Sequence, residues 1–337
     1  MKSRLKRIIL SLIGLIMILG ILRLADFSEL KIHLKNFGIV NLAIVCFLQV
    51  ITMVLINIQW FTISKEIGQK MPIGKLIHIN TISTFVESIT PSVKAGGEAV
   101  KVYLLKSDLG FTTANAIALV TIQKIVSFFA FLVLSFISIL LTINKIYYNE
   151  YFNYIIVVFV ILLSIFAMVL FTVIFSNSTL RIIKRLSIKD SIKFKIEKGI
   201  NQFNITFNLF TKNKKGLFFQ IFFSIVIWSF YAIKSTIIAN MLDLQLSVIT
   251  ISAFTFLSYM AGMIPLLPGG LGAFEGSMVF LLSIMQVPMV EGIAFTVILR
   301  FVTFWFVCIV SITYLAIYYL INIIDRKEFK KWLYKTT

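Results

Sequence analysis

The chain has 337 residues, of which 59% are hydrophobic and 14% charged, against roughly 25% charged in an average soluble domain. So little charge cannot clothe a water-facing globule, and the chain reads as an integral membrane protein. Lys and Arg outnumber Asp and Glu by 32 to 14, which in a soluble protein would point to nucleic acid; here the basic residues stand between apolar runs, and no nucleic-acid partner is expected.

A membrane-crossing helix needs about 20 apolar residues. The first candidate, residues 8–22, follows Lys2, Arg4, Lys6 and Arg7. Its end, Leu22-Arg-Leu-Ala25, lacks a small-x-small cleavage pattern, so it reads as a retained short helix and not as a signal peptide. Further continuous spans are expected at 38–63, 112–142, 153–175, 217–240 and 291–322. Two other stretches, 75–107 and 248–287, are apolar but interrupted by proline and glycine. They read as broken, re-entrant hairpins. Between the halves, residues 176–216 hold ten Lys/Arg against Asp190 and Glu197. Their apolar positions Ile188, Ile192, Ile196, Ile200, Phe203, Phe207 and Phe210 recur every three or four residues, the pattern of an amphipathic helix. It either lies on the inner membrane surface or packs beneath the bundle.

Placing the N-terminus in the cytoplasm puts 176–216 and the basic tail (Arg326, Lys327, Lys330, Lys331, Lys335) on the same side. Both termini are then cytoplasmic, and nearly all the excess positive charge marks orientation in a cell membrane and attraction to its anionic inner leaflet.

The two broken stretches repeat each other. Residues 116–128 and 292–304 share five identities, with Lys124 matching Arg300, Ser127 matching Thr303 and Ala116 matching Gly292. Upstream, Pro91 precedes Glu98 by seven residues and Pro268 precedes Glu275 by seven; small residues fill both gaps. In the topology above, one unit enters the membrane from inside and the other from outside. The expected fold is therefore all-α, a polytopic helical bundle forming one membrane domain over 1–337, with inverted repeats at 75–142 and 248–322 joined by the linker 176–216.

Lys124 lies about twelve residues into its helix, roughly 18 Å from the membrane surface at ~1.5 Å per residue, and Arg300 is similarly deep. Buried membrane cations are paired or face a wet cavity, and Glu98 and Glu275 are the natural partners. Two readings stay open: the pairs lock the broken helices, or they line a polar chamber that attracts an anionic group such as a lipid phosphate. Lys94, Lys101, Gly96 and Gly97 surround the first turn, where exposed N–H groups offer an anion seat or glycines supply a hinge. Pro265, Pro268, Gly269, Gly270 and Gly272 break the second helix. Glu87 belongs to an apolar run that can join the cavity. Lys234, six residues from the end of its helix, reads as snorkelling to the surface. Trp60 and His78 read as interfacial, and the 33 phenylalanines as lipid-facing and packing surface. Cys46 and Cys308 sit in apolar segments and define no disulfide or metal site; no HExxH, CxxC, GxSxG, Walker or GxGxxG pattern is present. No cofactor or metal is expected.

The turn Gly96-Gly-Glu98-Ala-Val-Lys101, and Leu267-Pro-Gly-Gly-Leu-Gly272-Ala-Phe-Glu275 with Arg300 in the next helix, resemble the transmembrane region of lysylphosphatidylglycerol synthases, the multiple peptide resistance factors and their stand-alone flippase-like relatives. The resemblance runs from about residue 5 to 325. It implies movement of an anionic or aminoacylated phospholipid, such as lysylphosphatidylglycerol, between leaflets. In the full-length family a soluble C-terminal domain transfers lysine from lysyl-tRNA; the residues after Ile323 are too few for it, so transport rather than catalysis is expected. The alternatives are a lysyltransferase working with a partner, and a membrane scaffold for a lipid- or glycan-modifying enzyme. Membrane lipids are the expected partners, with a homo-oligomer or a lipid-modifying enzyme as further ones.

Overall fold

The computed structural model describes residues 27–69, 71–90, 95–146, 152–174, 190–263 and 268–335. Among these the fold is all-α. Helix α1 (Phe27–Glu66) is bent at Gly38, whose φ of 73° interrupts the helical backbone where the long span was expected to start. The first broken stretch is α2 (Ile73–Ile89) and α3 (Ala95–Leu109), followed by the long α4 (Thr113–Ile146) and by α5 (Phe152–Ile174). After α6 (Asp190–Lys212) and α7 (Lys214–Met241) comes the second broken stretch: α8 (Val248–Gly262), a short 3-10 turn (Pro268–Gly270) and α9 (Ala273–Ile284). Then follow α10 (Met289–Arg300), a π turn (Phe301–Trp305) and α11 (Phe306–Lys335).

Four stretches among the described residues are long and apolar enough to cross a membrane: Leu30–Glu66, Thr113–Thr142, Lys214–Met241 and Met289–Ile321. Large apolar side chains face outward along them and their neighbours. Phe47 is 64% exposed and Phe218 72%. In water these would be unfavourable patches; against lipid tails they are the expected surface. The chain is thus a polytopic membrane protein. The candidate span 8–22, the Pro91–Lys94 turn, Pro265 and the basic run 176–189 lie outside the described residues.

Both broken stretches fold back tightly, and a glycine permits each approach. A Cβ on Gly97 would lie 2.5 Å from the carbonyl oxygen of Ser83 and 2.9 Å from Glu87 Cβ, so the first turn of α3 can seat against α2 only without a side chain there. In the second stretch a Cβ on Gly270 would lie 2.5 Å from the carbonyl oxygen of Gly262. Gly96 and Gly97 therefore serve close packing inside the first turn of α3, while Gly269, Gly270 and Gly272 form the turn before α9, with φ of 61°, 68° and 81°.

Two apolar clusters hold these elements. One gathers Phe131, Phe254, Phe256, Phe274, Phe295 and Leu299 from α4, α8, α9 and α10. The other gathers Trp60, Ile63, Leu105, Leu119 and Phe210 from α1, α3, α4 and α6. Helix α6 packs beneath the bundle through Phe207 and Phe210, with Thr206 donating to Asn115 Oδ1 at 3.0 Å. Its Ile205 and Leu209 remain exposed on the other side, so the helix packs against the bundle with one face and leaves an apolar face uncovered. The π turn has no counterpart in the sequence expectation of one helix over 291–322. It follows Arg300 directly, and the Phe306 amide bonds back to the Phe301 carbonyl. Such insertions are often found beside functional residues.

Candidate substrate cavity

The second broken stretch builds a closed charged lock. With Gly272 at positive φ the chain turns sharply into α9, and the orphan amide of Gly272 donates to Glu275 Oε2 at 2.7 Å, the carboxylate half of a capping box. Glu275 Oε1 accepts from Arg300 Nε at 2.7 Å, and Arg300 Nη2 donates to the Gly269 carbonyl at 2.8 Å. The guanidinium also lies 4.9 Å from the Phe274 ring and 4.7 Å from the Phe304 ring, a cation-π sandwich that favours the planar delocalised cation over an ammonium. One carboxylate and one guanidinium thereby tie the glycine turn, α9 and α10 together.

The first stretch builds an open counterpart. Glu98, in the first turn of α3, accepts Lys124 Nζ of α4 at 2.7 Å, and Lys101 Nζ lies 3.9 Å from the same oxygen. Lys101 also stands 4.0 Å over the ring of Trp60. Here the Lys124 side chain is 40% exposed, against 7% for Arg300. The two expected pairs therefore exist, but they are unequal: one is almost buried and the other is partly exposed.

Both reach a single cavity of about 280 Å³. Glu98, Lys101, Lys124 and Arg300 line it, and so does Glu87; Glu275 stands behind Arg300 and is not among the wall residues. The residues matched between the repeats, Ser127 and Thr303, both line it as well. Gly269 and Gly270 bring the backbone of the second turn to the wall. The volume is just under the ~300–1,000 Å³ of small-molecule sites.

Sequence reasoning missed much of the wall. Trp228, Tyr231 and Tyr259 form an aromatic panel, with centroids 5.2–5.8 Å apart, and Trp228 Nε1 donates to the Ser127 carbonyl at 3.0 Å. Opposite polarity comes from amides: Gln123 Nε2 donates to Gln59 Oε1 at 3.2 Å, Gln59 Nε2 to Ser224 Oγ at 2.6 Å, and Asn80 Nδ2 to Asn57 Oδ1 at 2.9 Å. The available signal was the recurrence of Gln and Asn inside apolar spans, where each needs a partner.

Two expectations are corrected. Lys234 does not reach the surface: it is 0% exposed and bonds to Gln49 and Thr52. Trp60 is 1% exposed, a core residue beneath Lys101 and not an interfacial one. Lys234 finds buried polar partners in Gln49 and Thr52 on α1, and Trp60 packs in the apolar cluster with Ile63, Leu105 and Leu119. His78 is half-buried between helices, 4.1 Å from the Tyr318 ring and 6.0 Å from that of Tyr314. Lys94 lies outside the described residues. Among the described residues, no group of three or more His, Cys, Asp or Glu is placed to hold a metal ion.

Comparison with known proteins agrees with this architecture. The family profile described as the lysylphosphatidylglycerol synthase TM region matches residues 8–311. A UPF0104 membrane protein of Methanothermobacter thermautotrophicus is 24% identical over 315 residues, spanning 90% of this chain and 92% of the relative. Another, of Methanocaldococcus jannaschii, is 24% identical over 337 residues, spanning 96% and 98%. A third, of Pyrococcus horikoshii, is 23% identical over 326 residues, spanning 89% and 93%.

Proposed function

The chain belongs to the lysylphosphatidylglycerol synthase transmembrane-region family, and from that premise we propose that it is a lipid translocase, moving an anionic or aminoacylated phospholipid such as lysylphosphatidylglycerol between the leaflets of the cell membrane. The observation that carries this reading is a polar cavity inside an apolar bundle, reached by both broken stretches and walled by Lys101, Lys124 and Arg300. A lipid headgroup cannot cross hydrocarbon without a substitute for its hydration shell. The lysines, the guanidinium and the amides of Gln59 and Gln123 offer that substitute, while the acyl chains stay in lipid.

In this account the repeats are inverted, both termini are cytoplasmic, and the headgroup passes between the two turns as they alternate in access. The nearly buried Glu275–Arg300 lock keeps the second turn rigid, and the more exposed Glu98–Lys124 pair exchanges its partner for the headgroup phosphate. The test is leaflet exchange in liposomes containing the purified protein and acyl-labelled phosphatidylglycerol, followed by quenching of the outer leaflet. Exchange well above that of empty vesicles is expected; exchange equal to empty vesicles, with phosphatidylglycerol and with lysylphosphatidylglycerol alike, would overturn the reading.

A further inference from the structure

Buried polar side chains in folded proteins have hydrogen-bond partners in all but a few cases, so exceptions on the cavity wall point to what the cavity takes in. Asn57 Nδ2 donates to the Met53 carbonyl at 2.9 Å, and a carbonyl can only accept. Asn57 Oδ1 is thereby turned toward α2, where Asn80 Nδ2 donates to it at 2.9 Å. These two bonds fix the Asn80 amide with its oxygen left over. Asn80 is 6% exposed and lines the cavity, and among the described residues nothing donates to its Oδ1.

Ser311 of α11 repeats the situation. It is 0% exposed and lines the same cavity, and among the described residues its hydroxyl has no partner. Helices α2 and α11 pack together, with His78 against the Tyr314 and Tyr318 rings. One turn from that contact on each helix stand Thr81 and Ser311, both on the wall. Thr81 Oγ1 donates to the Ile77 carbonyl at 2.7 Å, and Ser88 Oγ, also on the wall, donates to the Phe85 carbonyl at 2.7 Å. Their protons are committed inside α2, so Thr81 and Ser88, like Asn80 Oδ1, present oxygen lone pairs to the cavity. Lys101, Lys124 and Arg300 carry N–H groups that suit a phosphate. The wall is therefore divided, and its neutral oxygens on α2 and α11 suit hydrogen-bond donors.

Resting on the translocase reading, we infer that Asn80 and Ser311 form a second headgroup subsite, which takes hydrogen-bond donors on the part of the headgroup beyond the phosphate. A polyol headgroup brings such donors as hydroxyls, and an amine headgroup brings them as N–H groups. A headgroup ending in alkyl leaves Asn80 Oδ1 and Ser311 Oγ unpaired, and a buried polar group left unpaired penalises the lipid that leaves it so. The selection rests on amide and hydroxyl oxygens, whose hydrogen-bonding roles do not depend on the charge state of the lysines and carboxylates around them.

The test measures exchange of acyl-labelled lipids in proteoliposomes as two pairs, each matched in headgroup charge. Phosphatidylglycerol is set against phosphatidylpropanol, which lacks its hydroxyls, and phosphatidylethanolamine against phosphatidylcholine, which lacks its N–H groups. The native protein is expected to favour the donor-bearing lipid by about tenfold or more in at least one pair, the ratio that ~1.4 kcal/mol produces; the pair that shows it tells whether hydroxyl or amine is the group received. Ser311→Ala and Asn80→Ala are each expected to lower that ratio by about threefold or more. Ser311→Ala removes a hydroxyl that has no bond to lose, so its thermal unfolding midpoint is expected not to fall, and it carries the test if Asn80→Ala does not fold. Exchange without preference in either pair, or a preference unchanged in both variants, would overturn the inference while leaving translocation intact. Exchange equal to that of empty vesicles for all these lipids would overturn the translocase reading and this inference with it.

Discussion

Glu275 grips Arg300 at 2.7 Å with one carboxylate oxygen while its other oxygen accepts the Gly272 amide, also at 2.7 Å. The carboxylate is therefore both the counter-ion of a buried guanidinium and the cap of a glycine turn. Glu98, at the matching place in the first unit, holds Lys124 at 2.7 Å in a setting open to the cavity. The two pairs share a sequence pattern and differ in what their surroundings let them do.

Glu275→Ala strands the Arg300 guanidinium and the Gly272 amide together. Breaking one partner of a buried pair costs about 3–5 kcal/mol. A fall of several degrees in the thermal unfolding midpoint of the detergent-purified protein is expected, with a smaller additional loss when Arg300→Ala is combined with it than the two single changes would sum to. Additive losses would show that the pair is not coupled.

Lys124→Gln removes a charge whose side chain is 40% exposed, and solvent screening makes such pairs worth little to stability. The unfolding midpoint is expected to stay within a degree or two of the native protein, while phosphatidylglycerol exchange in liposomes falls by about tenfold, a loss equivalent to ~1.4 kcal/mol. Unchanged exchange would make Lys124 a structural residue.

Gly270 and Gly276 separate the effects of strain and propensity. Gly270→Ala places a Cβ 2.5 Å from the Gly262 carbonyl at a φ of 68°, and is expected to destabilise by ~1–3 kcal/mol or more. Gly276, inside α9, has nothing within 4 Å of the added Cβ. There Ala is expected to raise stability by up to ~1 kcal/mol. Thermal melts of the two variants, moving in opposite directions, check both.

Much of this architecture was legible in the chain because hydrocarbon imposes it. Long apolar runs gave α1, α4, α7 and the Met289–Ile321 span, and Pro and Gly in two of the runs gave the broken helices. The pairings Glu98–Lys124 and Glu275–Arg300 followed from the rule that deep charges need partners. The inequality between them did not, since exposure depends on what α7, α8 and α11 bring to the wall. Lys234 was misjudged for the same reason: distance from a helix end says nothing of Gln49 and Thr52 waiting on α1. The π turn after Arg300 left no compositional trace, because Phe301–Trp305 reads as ordinary helix.

Cys308 reports on the cavity from inside. It lines the wall and is partly accessible, whereas Cys46 is the other thiol of the chain. In a Cys46→Ser background, a small charged thiol reagent added from water is expected to modify Cys308, and added phosphatidylglycerol is expected to slow the reaction. Labelling that lipid does not slow would place the headgroup elsewhere.

The central claim is that the cavity between the two turns holds a lipid headgroup. It is tested most directly by a cryo-electron microscopy map of the protein in nanodiscs rich in phosphatidylglycerol. The account predicts phosphate density within the chamber, between Lys124 and Arg300, with acyl chains leading out into the bilayer. A map in which well-ordered lipids lie only on the outer surface, with the Glu98–Lys124 pair closed over an empty or water-filled chamber, would contradict it.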